Sequence, residues 1–158
     1  MESVMSPDFL TPVVRIAEWL QDRPVDDHLQ EALSAAFPPT GSDFQDLAAA
    51  CRLGVEQGWL ASRGEEPLKW GRVIKPGDGA CGFSVDVVRM SDVAGPHHAH
   101  PNGEIDMIIP LSEDARFDGH ARGWLVYPPG SAHRPTVTGG SAIIVYFLPQ
   151  GAIEFGAG

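Results

Sequence analysis

The chain has 158 residues, 43% hydrophobic and 20% charged, with a formal net charge of −10 and a pI near 4.8. That length suits one domain with a buried core plus an appendage. The acidity argues against nucleic acid or an anionic membrane surface as partner, since both recruit Lys and Arg, and no apolar run approaches the roughly 18 residues that cross a bilayer.

The opening stretch MESVMSPDFLTPVVRIAEWLQDR is acidic before its apolar part and lacks a signal-peptide n-region, which predicts a cytoplasmic protein. Phe9, Val13, Ile16, Ala17 and Leu20 recur at helical spacing and predict a first helix. A second is expected over Val25 to Phe37, stopped by Pro38-Pro39-Thr40-Gly41. Ser42 and Gln45 form a capping-box signature before Phe44, Leu47, Ala48, Cys51 and Val55, so a third helix should end near Gly58. A helix-turn-helix over 42–60 fits the pattern but not the charge. Near residue 65 the character changes. Short apolar runs (Trp70–Ile74, Phe83–Met90, Glu104–Pro110, Gly123–Tyr127 and Ala142–Leu148) alternate with turns such as Pro76-Gly77-Asp78-Gly79 and Pro129-Gly130. This predicts a sandwich or barrel. The expected organisation is a helical section, 1–65, for packing or dimerisation, then a β-barrel, 66–158, with a frayed end at Gly156-Ala157-Gly158. Cys51 in a helix and Cys81 in a strand are expected as free thiols.

The chemistry concentrates at His98-Ala99-His100, Glu104 and His133. Alternate residues of a strand share a face, so His98 and His100 point together while His97 points away. Glu104 opens the next strand after Pro101-Asn102-Gly103, and Asp106 shares its face. His133 follows the turn Pro128-Pro129-Gly130 on a distant strand. Three imidazoles and a carboxylate suit a divalent Fe, Mn, Ni or Zn ion, and such a set leaves a position for substrate or water. Asp106 is the spare acid, as a catalytic group or as a carboxylate orienting a ligand histidine. His120, in a Gly-rich turn, and His28, in a helix, read as surface residues.

The order H-x-H-x3-E followed by P-x-G-x2-H resembles the two motifs of the cupin superfamily over about residues 68–150. The resemblance implies a mainly β fold, a single jelly-roll (cupin) barrel behind the helical section. It assigns His98, His100, Glu104 and His133 as metal ligands. The departures spare the ligands: Gly95 is too near His98, Leu111 replaces a glycine, Gly123 is one residue too near Pro128, and Val137 replaces an asparagine. The stretches HAHPNGEIDMIIP, GWLVYPPGSAHRPTV and IIVYFLPQGAIEF are similar to the bacterial 4-hydroxylaminobenzoate lyase family. That resemblance implies conversion of 4-hydroxylaminobenzoate and water to 3,4-dihydroxybenzoate and ammonia in nitroaromatic degradation. Glu104 and Asp106 would be the catalytic carboxylates. No redox cofactor is implied, and no G-x-G-x-x-G follows a strand. The partner expected is a small aromatic acid, its carboxylate held by a guanidinium from among Arg72, Arg89, Arg122 and Arg134. Arg134 should face away if its strand is regular. Trp124, Tyr127 and Tyr146 are available to flank the ring or to fill the core. A homodimer is expected. The competing readings are a metal-dependent dioxygenase acting on an aromatic acid and a non-catalytic barrel that binds a small acid.

Overall fold

A computed structural model describes residues 6–156. Three helices come first: α1 (Pro7–Leu20), α2 (Leu29–Ala36) and α3 (Ser42–Gln57). Ser6 caps α1, its side chain accepting from the Asp8 amide at 3.2 Å, and Pro7 starts the helix where a missing N–H costs nothing. The apolar stripe Phe9, Val13, Ile16, Ala17 and Leu20 is buried along its length. α2 is shorter than the periodicity predicts, because Asp26-Asp27-His28 form a turn in which the Asp26 carboxylate accepts the His28 amide. His28 therefore precedes the helix. Gly41, not Ser42, sits at the N-cap of α3, with no side-chain cap hydrogen bond. The anticipated capping box does not form. α3 stops at Gly58, whose φ of 88° is the left-handed conformation glycine adopts without strain.

Ten strands follow among the described residues: β1 (Arg63–Glu65), β2 (Leu68–Ile74), β3 (Phe83–Ala94), β4 (His98–His100), β5 (Glu104–Pro110), β6 (Arg116–Phe117), β7 (Gly123–Tyr127), β8 (Ser131–His133), β9 (Thr136–Pro149) and β10 (Glu154–Phe155). They form a seven-stranded antiparallel sheet, ordered β1-β2-β3-β9-β5-β7 with β6 on β9, and a three-stranded sheet, β10-β4-β8. The fold is mainly β, a cupin-like jelly roll built from two sheets and not from one continuously closed sheet. β3 and β9 run longer than their apolar cores, since their pairing continues past a bulge at Ser91–Val93 to Ala94–Thr136. Cys81 lies in the turn before β3, with φ 55°, outside any strand. Gly156, the first of the three residues expected to fray, makes a backbone hydrogen bond of 2.9 Å to His97. Ala157 and Gly158 lie outside the described residues.

The large sheet has two different faces. Val85, Val87, Ile105, Met107, Ile109, Trp124, Val145 and Phe147 pack outward against the helices. Val88, Met90, Ile108, Leu125, Ile144, Tyr146 and Leu148 point inward, toward the small sheet. Helix and sheet are joined by polar contacts as well. Trp124 donates its indole N–H to the Phe37 carbonyl at 2.9 Å, and the Val126 amide of edge strand β7 donates to the Gln30 side chain at 2.9 Å. An edge amide that would otherwise be open to another strand is thereby closed.

Candidate metal centre

Register places the histidines. In the β4–β8 pair His98 stands opposite His133, and His100 opposite Ser131. Alternation then turns His98 and His100 to one face. The hairpin to β5 needs a glycine: Gly103 has φ 90°, and a Cβ there would meet Val25 Cγ1 at 2.8 Å and the Tyr127 carbonyl at 3.0 Å. The His100 carbonyl ties both motif loops together, accepting the Gly103 amide at 3.2 Å and the Gly130 amide at 2.8 Å. The glycines of HPNG and PPGSAH thus brace the centre from two sides.

One ligand atom from each of His98, His100, Glu104 and His133 lies within 4.8 Å of the others. His98 Nε2 and His100 Nε2 stand 3.1 and 3.2 Å from Glu104 Oε1, and His133 Nε2 stands 3.3 Å from Oε2. His98, His100 and Glu104 are at most 2% exposed, and the His133 side chain is 11% exposed, so the cage opens on the His133 side.

The outer nitrogens settle what the inner ones can do. Ser131 donates its hydroxyl proton to the Pro128 carbonyl at 2.6 Å. Its oxygen must therefore accept from His100 Nδ1 at 2.9 Å. His133 Nδ1 donates to Asp118 Oδ2 at 2.6 Å. With their protons on Nδ1, both rings present Nε2 lone pairs to the Glu104 carboxylate. Lone pairs facing carboxylate oxygens repel unless a proton or a cation lies between them. His100 Nε2 and Glu104 Oε2 are also buried without a hydrogen-bond partner. The donor set and its orphaned atoms fit a divalent cation.

The electrostatics follow from this packing. Burial raises the Glu104 carboxyl, but the imidazoles of His100, His133 and His98 packed around it outweigh that and hold it well below the usual range. Burial would lower His133, yet Asp118 and Glu104 hold its protonated form up to about 9. In the metal-free cage that proton occupies the place a cation would take. Asp106 is shifted well upward, first by burial and then by the adjacent Glu104 charge. It lies on the face of Glu104, fully buried, with both oxygens unpartnered.

Asp118 is the participant that motif spacing does not reveal. It sits in the turn after β6 with φ 49°. Its Oδ2 accepts from His133 and, at 2.5 Å, from the Tyr127 hydroxyl, and its Oδ1 accepts the Thr136 amide at 2.9 Å. Those hydrogen bonds overcome its burial and hold it below the usual range. The only available signal was an Asp-Gly turn, which normally reads as punctuation. His97 points away from the cage, its Nδ1 3.2 Å from the Gly156 carbonyl. His120 pairs its backbone with Phe117 at the surface. Arg134 reaches the Gly95 carbonyl at 3.2 Å, and Arg89 pairs with Glu66 at 2.6 Å. Trp124 is spent in the core against Phe44 and Phe147, whereas the Tyr127 ring stands 4.3 Å from that of His133.

A jelly roll with three imidazoles and a carboxylate converging between its sheets defines a cupin-type protein. The family model described as "PnbB: 4-hydroxylaminobenzoate lyase" matches residues 12–155, and the chain belongs to that family of lyases. It is 29% identical to a 4-hydroxylaminobenzoate lyase of Nocardioides sp. (strain LMS-CY), over 94% of this chain and 93% of that one. A second relative, the 4-hydroxylaminobenzoate lyase of Pseudomonas putida, is 28% identical over 94% and 90% of the two chains. Among solved structures, one from a study of the DMSP lyases RdDddP and RnDddQII overlays 96% of this chain and 92% of its own, at 15% identity and a TM-score of 0.49.

Proposed function

We propose that the protein is a metal-dependent 4-hydroxylaminobenzoate lyase, forming 3,4-dihydroxybenzoate and ammonia with consumption of one water. The carrying observation is the cage itself: Nε2 lone pairs and a carboxylate aimed at one point beside an unpartnered buried acid. His98, His100, Glu104 and His133 would hold the ion. When bound, a divalent cation supplies Lewis acidity, which weakens the substrate N–O bond.

The chain's own residues supply the rest. Asp106 is the group placed to hand a proton to the departing oxygen and to take one back from incoming water. Burial, first, and the neighbouring Glu104 charge push its carboxyl well above the usual range. Glu104 balances charge at the centre, its Oε2 3.3 Å from His133 Nε2. As the N–O bond breaks, the ring becomes electrophilic and water adds at the carbon beside the nitrogen. The resulting ring imine is hydrolysed, releasing ammonia. The nitrogen gains the two electrons the ring loses, so neither oxygen nor a nicotinamide is consumed. The helical layer of α1–α3 acts in packing, covering the sheet face opposite the centre.

The test is anaerobic incubation of metal-loaded protein with 4-hydroxylaminobenzoate, assayed for ammonia and the catechol. Equimolar products without air are expected. A requirement for dioxygen would transfer the protein to the dioxygenase class, and substrate returned unchanged by protein with confirmed bound metal would leave a binding barrel.

A further inference from the structure

A second polar feature runs across the inner face of the large sheet. Asp106 on β5 is in register with Tyr146 on β9, Tyr146 with Asp86 on β3, and Asp86 with Arg72 on β2. Residues in register share a face, so these four form one row. It begins two residues from the ligand Glu104 and ends on a guanidinium. Arg72 does not extend away from the row. Its Nε and Nη2 lie on Asp86 at 2.8 and 3.3 Å, and Nη2 also reaches the Gly151 carbonyl at 3.2 Å. Folded back over Asp86, the cation stands above β3. That is two strand spacings, roughly 10 Å, from the strand carrying Asp106. That span is comparable to the length of one benzene ring with substituents at opposite ends, which would lie over Tyr146 and Asp86.

Three observations give the row a ligand. Arg72 Nη1 makes no hydrogen bond to the described residues and its side chain is 34% exposed, so it is open to a ligand; Gly151, at φ 68°, lets the guanidinium pass close to the backbone, since a Cβ there would stand 2.7 Å from Pro76 Cγ and 3.0 Å from Nη1. Ser84 precedes Asp86 by two positions on β3, faces the same way, is 0% exposed, and has a hydroxyl with no partner. The buried unpartnered atoms Ser84 Oγ, both Asp106 oxygens, Glu104 Oε2 and His100 Nε2 all lie on the inward side, none beneath the helices. A polar group buried without a partner is costly unless something else satisfies it. Of the other candidate arginines, Arg89 is engaged by Glu66 and Arg134 by the Gly95 carbonyl, and Arg122 is exposed in the loop before β7, outside the row.

We propose that Arg72, held by Asp86 and assisted by Ser84, is the carboxylate subsite, binding an aromatic acid whose opposite end faces the metal cage. Tyr146, its ring 6.3 Å from that of His98, floors the ring between the two ends. This deepens the lyase reading and rests on it for the identity of the acid, but the subsite itself is tested without turnover.

The experiment titrates metal-loaded full-length protein with two unreactive probes, 4-aminobenzoate and its uncharged amide 4-aminobenzamide, by calorimetry. The wild type should prefer the acid by about tenfold or more, the usual size of a charge-assisted hydrogen bond. Arg72→Gln should bring the ratio near one. Ser84→Ala should reduce acid affinity roughly threefold to tenfold, leave amide affinity alone, and leave the melting temperature unchanged or raised, since no protein hydrogen bond is lost. A wild type without acid preference overturns the proposal. So does a folded Arg72→Gln variant that keeps the preference. If that variant does not fold, an undiminished preference in Ser84→Ala overturns it instead. Turnover of 4-hydroxylaminobenzoate is measured on the same wild-type sample. Its absence refutes the lyase reading, whereas an acid preference that depends on Arg72 upholds the subsite whichever way turnover falls.

Discussion

Strand β5 shows two regions of this molecule side by side. Ile105, Met107 and Ile109 face the helices and are fully buried among apolar neighbours. Glu104 and Asp106, alternating with Ile105 and Met107 in sequence, are equally buried yet face inward, with Glu104 Oε2 and both Asp106 oxygens left unpartnered. Burial alone does not separate the two faces. Satisfaction does: one face is complete as folded, and the other carries buried polar atoms without partners. Mutations should therefore divide cleanly, lowering stability on the outer face and binding or chemistry on the inner one.

The largest effects should come at the two extremes. His100→Ala removes a ligand and should abolish metal retention and turnover, by a thousandfold or more, as measured by metal content and product assay. Met107→Ala, on the same sheet but facing α1–α3, should cost about 2–5 kcal/mol of stability, read by denaturant melting. Activity per folded molecule should be retained. If Met107→Ala lost metal while His100→Ala kept it, the division between faces would fail.

Asp106→Asn should lower kcat by roughly a hundredfold to ten-thousandfold, the usual range for a positioned acid–base group. Metal content should hold. A variant with normal kcat would reduce Asp106 to a structural carboxyl.

Asp118→Asn should follow, weakening metal affinity by about tenfold to a hundredfold. The His133 ring would lose the charge that fixes its Nδ1 proton. Calorimetric titration reads this directly, and Tyr127→Phe should have a smaller effect in the same direction. The smallest effect is a pH dependence. Without metal, His133 holds its proton up to about 9. Its pairing with Asp118 and Glu104 stabilises the metal-free fold fully below the unfolded histidine value near 6.5. That contribution is lost as pH rises through about 9. A cation must displace the same proton, so metal affinity should weaken as pH falls from about 9, with proton release on binding seen in buffers of different ionisation enthalpy.

Much of this was legible in the sequence, and for identifiable reasons. The four residues that converge could be named because strand alternation and the turn residues around them are local rules: His98 and His100 share a face by period two. The helix faces were readable from apolar spacing. What was not legible depended on long-range pairing. Asp118 looks like an ordinary Asp-Gly turn, and only the β6–β9 pairing brings it to His133. The row from Asp106 to Arg72 crosses four strands that lie far apart in sequence, so no spacing along the chain could order the arginines. The short strands β6, β8 and β10 carry too few residues to show a period. The Ser42–Gln45 capping box failed because Gly41 took the cap, a one-residue shift that sequence patterns do not fix.

The most direct test is a metal titration of chelator-stripped protein, with bound metal and turnover of 4-hydroxylaminobenzoate followed together. Turnover should rise linearly to one equivalent of metal per chain and then level off, and Glu104→Gln should flatten both curves. Full turnover by stripped protein, or saturation of activity unrelated to one ion per chain, would contradict the assignment of His98, His100, Glu104 and His133 as the working centre.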